Sequence, residues 1–269
     1  MVPADISMWV LFPLLGAVSG LLAGLFGIGG GLVIVPVLNL IFANPELGIP
    51  ADARMHFAIG SSLAVIVFTA ISSLRAHHRR GAVLWPAVLR LVPGIVLGGL
   101  LGAVLADAMS NRLLQSTFGG FVVAIAAYMA LGHRPRAALP LPSWPGFAVA
   151  GTLIGAISAL AGIGGGVLTV PFLVWRTVAL HTAVGTAAAC TMPVALAGAT
   201  GFVWTGIRAG SEVGMALGYV YWPAVIGISL ASVMTAPLGA SLAHSLPVKR
   251  LRRAFALLLV VVGARMLLA

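Results

Sequence analysis

Gly27-Ile28-Gly29-Gly30-Gly31 is followed after four residues by Pro36, and the chain repeats this pattern at Gly162-Ile163-Gly164-Gly165-Gly166 with Pro171. Glycine carries no Cβ, so such a run reaches positive φ, admits a second backbone or a ligand, and breaks a helix. A helix that restarts beyond it offers backbone N–H groups at its positive dipole end, which suits an anion. Two such ends at matching places in one chain mark the central binding site of a transporter. The candidate contacts are the amides of Gly29, Gly30, Gly31, Gly164, Gly165 and Gly166. The alternative is that the glycines serve only close helix packing, as small residues do in membranes. A nucleotide phosphate loop would need Gly-Lys-Ser/Thr, which follows neither copy.

Polar side chains near these runs are few. Ser61, Ser62 and Thr186 fall early in the apolar segment after each short outgoing one, and donate either to an anion or to their own backbone. His56 and His181 occupy equivalent positions, as interfacial helix starts or as groups for anion binding and proton coupling near neutral pH. Arg90 lies about eight residues into its segment. Buried charge in a membrane is costly and usually functional, although an arginine this close to an end can snorkel. Asn39 and Arg176, on the short outgoing segments, are candidates for the rim of the site. Arg265 reads as an interfacial anchor, and Trp85, Trp222, Tyr219, Tyr221 and Trp204 as aromatic-belt residues. Asp5, Glu46, Asp52, Asp107 and Glu212 all fall in or beside loops, so no intramembrane carboxylate pair exists. The single Cys190 and scattered histidines give no metal-ligand spacing. A Ser158–His181 protease dyad has nothing in its spacing to single it out. No enzyme chemistry and no cofactor are implied.

The elements that hold these residues follow from composition. Hydrophobic residues make up 61% of the 269 and charged residues 7%, with a mean hydropathy of +1.13; an ordinary soluble domain is roughly 25% charged. Runs long enough to cross a bilayer, about 20 helical residues, recur throughout. The composition therefore predicts an all-α polytopic membrane protein whose first partner is the lipid bilayer; a β-barrel would show short alternating segments. The net charge of +10 sits in short loops, where it acts as a topology signal rather than a nucleic-acid surface. The first residues carry no Lys or Arg, so the first apolar run reads as a retained span.

Five apolar segments are expected in each half: 8–26, 32–42, 55–74, 83–106 and 113–131, then 146–161, 167–178, 182–207, 218–243 and 251–268. A proline-rich connector, 135–145, separates a first repeat (1–134) from a second (146–269). Beyond the glycines, His56 to Ser61 matches His181 to Thr186 at a spacing of 125, and Trp85-Pro86 matches Trp222-Pro223 at 137. Basic loops at 75–80, in the connector and at 244–253 are expected on the cytoplasmic side, and loops 44–54, 107–112 and 208–212 outside. Equivalent loops then fall on opposite faces, so the repeats are inverted. The short second segments cannot span comfortably. Each half is thus expected to hold a glycine-broken, re-entrant helical hairpin plus three transmembrane helices, with both termini external. Small-residue faces such as Gly98-Gly99 and Gly102 serve either internal packing or a homodimer.

Gly-x-Gly-Gly-Gly, then proline, then a Gly-Thr-Ser-like step in the next helix, present in both halves, resembles the sulfite exporter TauE/SafE family over nearly the whole chain. The step reads Gly60-Ser61-Ser62 and Gly185-Thr186-Ala187 here, a departure that keeps a hydroxyl in each half. The resemblance implies a secondary transporter of the bacterial inner membrane for a small sulfur-containing anion: sulfite, a sulfonate such as sulfoacetate, or thiosulfate. A cation or metal permease is disfavoured by the missing carboxylates. A non-transporting scaffold or sensor on the same fold is the alternative from another class.

Overall fold

The computed structural model describes residues 6–26, 29–131, 139–211, 213–242 and 248–268. Gly27 and Ile28 of the first glycine run, Arg134 at the end of the first repeat, Arg136 of the connector, Glu212 and His244 lie outside the described residues. Among the described residues ten α-helices form: α1 Ile6–Phe26, α2 Gly31–Ile41, α3 Arg54–Arg79, α4 Trp85–Asp107 and α5 Asn111–Leu131, followed by α6 Trp144–Leu160, α7 Gly166–Trp175, α8 Leu180–Arg208, α9 Trp222–Leu242 and α10 Val248–Leu268. Each coincides with one apolar segment of the sequence. Prolines set three of the starts, since Pro86, Pro145 and Pro223 occupy the first turns of α4, α6 and α9, where a missing N–H costs no helical bond. Among the described residues α3, α4, α5, α8 and α9 are long and apolar enough to cross a membrane, so the chain is a multi-pass membrane protein.

Helices α3 and α8 lie side by side at the centre. α1 packs along α9 and α6 along α4; α4 also lies on α8, and α9 on α3. The short helices α2 and α7 rest on α3 and α8, and α5 pairs with α10. Exchanging α1–α5 with α6–α10 returns this same set of main partners.

Close packing of α4 on α6 needs glycine. A Cβ on Gly94, Gly98 or Gly102 would strike the α6 backbone, and one on Gly151 or Gly155 would strike the backbone of α4. Gly16 and Gly20 of α1, which correspond to Gly151 and Gly155, meet α9 in the same manner. Gly99 faces Ala197 of α8. The small-residue face at Gly98, Gly99 and Gly102 is therefore used inside the protomer. The opposite side of α4 leaves Leu97, Leu101 and Leu105 exposed at helical spacing, an apolar stripe suited to lipid.

Two features differ from the sequence expectation. The basic stretch 75–80 is helical as far as Arg79. The start of segment 218–243 is a tight hairpin, in which β1 (Ala216–Leu217) pairs antiparallel with β2 (Val220–Tyr221) ahead of α9. This hairpin turns inward, so Tyr219 and Tyr221 are buried and form no aromatic belt. Tyr219 lies on the His56 ring at 5.1 Å, meets Phe57 edge-on at 5.5 Å and donates its hydroxyl to Asp107 at 3.4 Å. Burial, reinforced by the Asp107 carboxylate, pushes the Tyr219 phenol up to about 12, which keeps its proton on that bond. Tyr221 packs edge-on against Phe42. Trp85, Trp222 and Trp204 remain exposed.

Candidate functional site

The glycine runs fold as turns that open α2 and α7, and the two turns touch. Gly29 and Gly30 both adopt left-handed backbone, with φ of +79° and +77°, conformations that L side chains rarely reach. In the second copy the left-handed residue is Gly162, at φ +63°, while Gly165 is right-handed. The repeats thus share a position but not an identical turn. A Cβ built on Gly29 would lie 2.9 Å from Gly164 Cα, and one on Gly31 would overlap Gly162 O and sit 2.8 Å from Ile163 Cα. No side chain separates the two backbones. Both turns are buried in the protein interior, where irregular backbone is tolerated within membrane depth.

Each turn ends by starting a helix. The N–H groups of Val33 and Ile34 donate to Gly30 O, and those of Leu168 and Thr169 donate to Gly165 O. The amides just ahead of these, at the first helical positions of α2 and α7, have no intrahelical acceptor and lie at positive dipole ends. Beside Gly29 is a small cavity, with about 10 Å³ of room for the centre of a water-sized solute, lined by three alanines and by Thr69 and Ser73 of α3 and Thr191 of α8. That admits about one water. Thr69 Oγ1 lies 2.7 Å from Ser232 Oγ of α9, which joins the cavity wall to the α3–α9 packing.

Ser62 belongs to this site. Its hydroxyl donates to Gly162 O at 2.9 Å and ties α3 to the second turn. Ser61 and Thr186 do something else. Ser61 Oγ accepts the N–H of Tyr221 at 2.9 Å, and Thr186 Oγ1 accepts that of Leu84 at 2.9 Å while donating to Thr182 O. Tyr221 and Leu84 each precede the Trp-Pro step that opens α9 and α4. Each hydroxyl therefore caps the fourth helix of the opposite half, a reciprocal clasp. Ser61→Ala and Thr186→Val are each expected to cost about 1 kcal/mol of stability by orphaning one amide, measured by thermal unfolding in detergent.

The other candidates lie elsewhere. His56 is buried, with Nε2 3.0 Å from Ala106 O and Nδ1 without a partner, under the Tyr219 hairpin. Its counterpart His181 is exposed at the start of α8. Arg90 is exposed and stacks over Phe147 at 5.8 Å, outside the glycine cavity. Asn39 Nδ2 approaches Met266 Sδ of α10 at 3.9 Å. Arg176 donates to Pro140 O of the connector and covers Phe172. Sequence reading missed Thr69, Ser73 and Thr191. Ser62, Ile66, Thr69 and Ser73 share one face of α3 at helical spacing, and that hydroxyl stripe was the available signal.

A bundle of apolar helices with two buried broken-helix turns meeting beside a small internal cavity is the build of a membrane transporter. Known proteins agree. The chain is 39% identical over 260 residues to a probable membrane transporter protein of Haemophilus influenzae, covering 95% of this chain and 96% of that one. It is 29% identical to a probable membrane transporter protein of Methanocaldococcus jannaschii and 25% identical to one of Bacillus subtilis, again covering at least 96% of each chain. No solved structure gives a significant match. The model of the family described as sulfite exporter TauE/SafE matches residues 12–266, and the chain belongs to that family.

Proposed function

We propose that this protein is a secondary transporter that exports a small sulfur-containing anion, sulfite or an organosulfonate such as sulfoacetate, across the bacterial cytoplasmic membrane. The carrying observation is the backbone contact between Gly29 and Gly164, which brings two helix N-termini from separate halves to one place. Main-chain amides of Gly29, Gly30, Gly31, Gly164, Gly165 and Gly166 would receive the anion, with Ser62 fixing the second turn. Two inverted halves, 1–134 and 146–269, joined by a cytoplasmic connector, rock about this point and expose it to each side in turn. The exchangeable set of helix partners and the opposed loop charges support that reading. So does the family's description. Both termini then lie on the periplasmic side.

A cavity with room for about one water cannot hold a sulfo group. The conformation described is therefore a closed one, and transport requires α3 and α8 to part near Gly29. His56, buried and with one ring nitrogen unpartnered, is the group we assign to proton coupling.

The test is efflux of sulfite and of sulfoacetate from proteoliposomes containing the purified chain, with and without a pH gradient. Efflux above that of empty vesicles, faster when protons can exchange, is expected. Absence of flux for every sulfur oxyanion would overturn the carrier reading in favour of a scaffold or sensor.

A further inference from the structure

The second glycine turn carries two buried hydroxyls that nothing in the fold uses. Thr169 sits in the first turn of α7 and Ser158 near the end of α6; both are fully buried, and neither Thr169 Oγ1 nor Ser158 Oγ has a hydrogen-bond partner. An unpartnered buried hydroxyl is destabilising, and most such groups in folded proteins are satisfied. Two flanking a single turn call for a ligand.

Their placement is specific. A Cβ on Gly165 would lie 3.6 Å from Thr169 Oγ1 and 3.6 Å from Ile154 Cγ2. Thr169 therefore points back across the opening of α7, towards the N-terminal amides. Ser158 is four residues beyond Ile154 and so lies on the same face of α6, one turn nearer the glycines. At the repeat spacing of 135 the counterparts in the first half are Ala23 and Ile34, both apolar. The two turns are thus chemically unequal at these positions: Ala23 and Ile34 in the first half stand where the second has the hydroxyls of Ser158 and Thr169.

We infer that Thr169 and Ser158 bind the transported anion from the second turn, and that the anion they take is a singly charged sulfo oxyanion, which among the carrier's candidates selects hydrogen sulfite over doubly charged sulfite and sulfoacetate. Hydroxyls and amides present partial charges only. A monoanion leaves less hydration behind than a dianion on entering such a cradle, and its oxygens accept from several neutral donors at once. The inference rests on the carrier reading for the identity of the site and adds to it the charge of the ligand and the unequal parts of the two halves.

The experiment uses the purified full chain in detergent, with methanesulfonate as the monoanionic probe and sulfate as the dianionic one. Methanesulfonate is expected to raise the thermal midpoint and sulfate at equal concentration to leave it in place. Thr169→Val is expected to weaken methanesulfonate binding by roughly tenfold or more, while Thr169→Ser restores it and Ser158→Ala falls between. Without ligand, Thr169→Val should be no less stable than the parent, because it removes a hydroxyl with no partner. Destabilisation of the ligand-free protein would give Thr169 a structural role and overturn the inference. Unaltered methanesulfonate binding by Thr169→Val, or equal binding of sulfate, would do the same. Proteoliposome flux separates the two readings: Thr169-dependent binding without flux removes the carrier and keeps the site, whereas flux with an unaltered KM in Thr169→Val keeps the carrier and removes this site.

Discussion

Gly31→Ala is expected to abolish anion flux and to destabilise the protein, whereas Gly165→Ala leaves a folded carrier with a modest loss. The two glycines are the fifth residue of the first run and the fourth of the second, and their surroundings differ. A Cβ at Gly31 overlaps Gly162 O and lies 2.8 Å from Ile163 Cα, both backbone atoms of the opposing turn. Neither can yield without moving the whole turn, so the turns must separate. Overpacking of this kind costs about 1–3 kcal/mol or more, and here it falls on the contact from which the proposed site is built. At Gly165 the nearest atom is a methyl, Val194 Cγ2 at 3.0 Å, and φ is −58°. A side-chain shift of a few tenths of an ångström absorbs that methyl group. Gly29→Ala combines both penalties, contact with Gly164 and a left-handed φ that adds roughly 1–2 kcal/mol for an L residue. Efflux rate and thermal midpoint measured on the three variants should fall in the order Gly165→Ala, then Gly29→Ala and Gly31→Ala. Equal behaviour of Gly31→Ala and Gly165→Ala would mean that the turns do not meet in the working protein.

The helices were legible because hydropathy is a one-dimensional signal: every apolar segment became a helix, with ends within a few residues, and the two glycine runs broke the chain where four glycines in five must. The roles of polar residues were less legible, for a physical reason. A hydroxyl in a span can bond its own helix, a distant backbone or a ligand, and local sequence does not distinguish the three. Ser61 and Thr186 share a motif position with Ser62 close by, yet cap helices of the opposite half, while Ser62 reaches the second turn. Tyr219 and Tyr221 carry the composition of a belt but are folded under by a hairpin whose Gly218 takes φ +55°. Arg90 looked costly as an intramembrane charge; it lies at the periphery with Phe147 beneath it. Thr169 gave no signal, because a lone threonine in an apolar run is ordinary until its neighbours are known.

Gly98→Leu tests the other use of glycine in this chain, and the expected result is loss of the fold rather than loss of an oligomer. In a bilayer, lipid tails are as apolar as leucine, so helix association rests on close van der Waals packing. The α4–α6 pair achieves it by placing Gly98 directly on the α6 backbone, with Thr152 C at 2.8 Å and Ala156 N at 2.9 Å from any added Cβ. A leucine there pushes α6 away along its length, since Gly94 and Gly102 above and below make the same approach. Because α4 also rests on α8, the disturbance reaches the helix that walls the cavity beside Gly29. Gly120→Leu is the matched control. Gly120 lies on the exposed side of α5 with open space around it, and leaving glycine in a helix is favourable by about 1 kcal/mol. Size-exclusion chromatography and thermal unfolding of the two variants separate the outcomes. Aggregated or absent Gly98→Leu beside well-behaved Gly120→Leu is the expected pair. A folded Gly98→Leu protein of smaller assembled size would instead mean that this face joins two copies of the chain, and that α4 and α6 do not pack as closely as they do here.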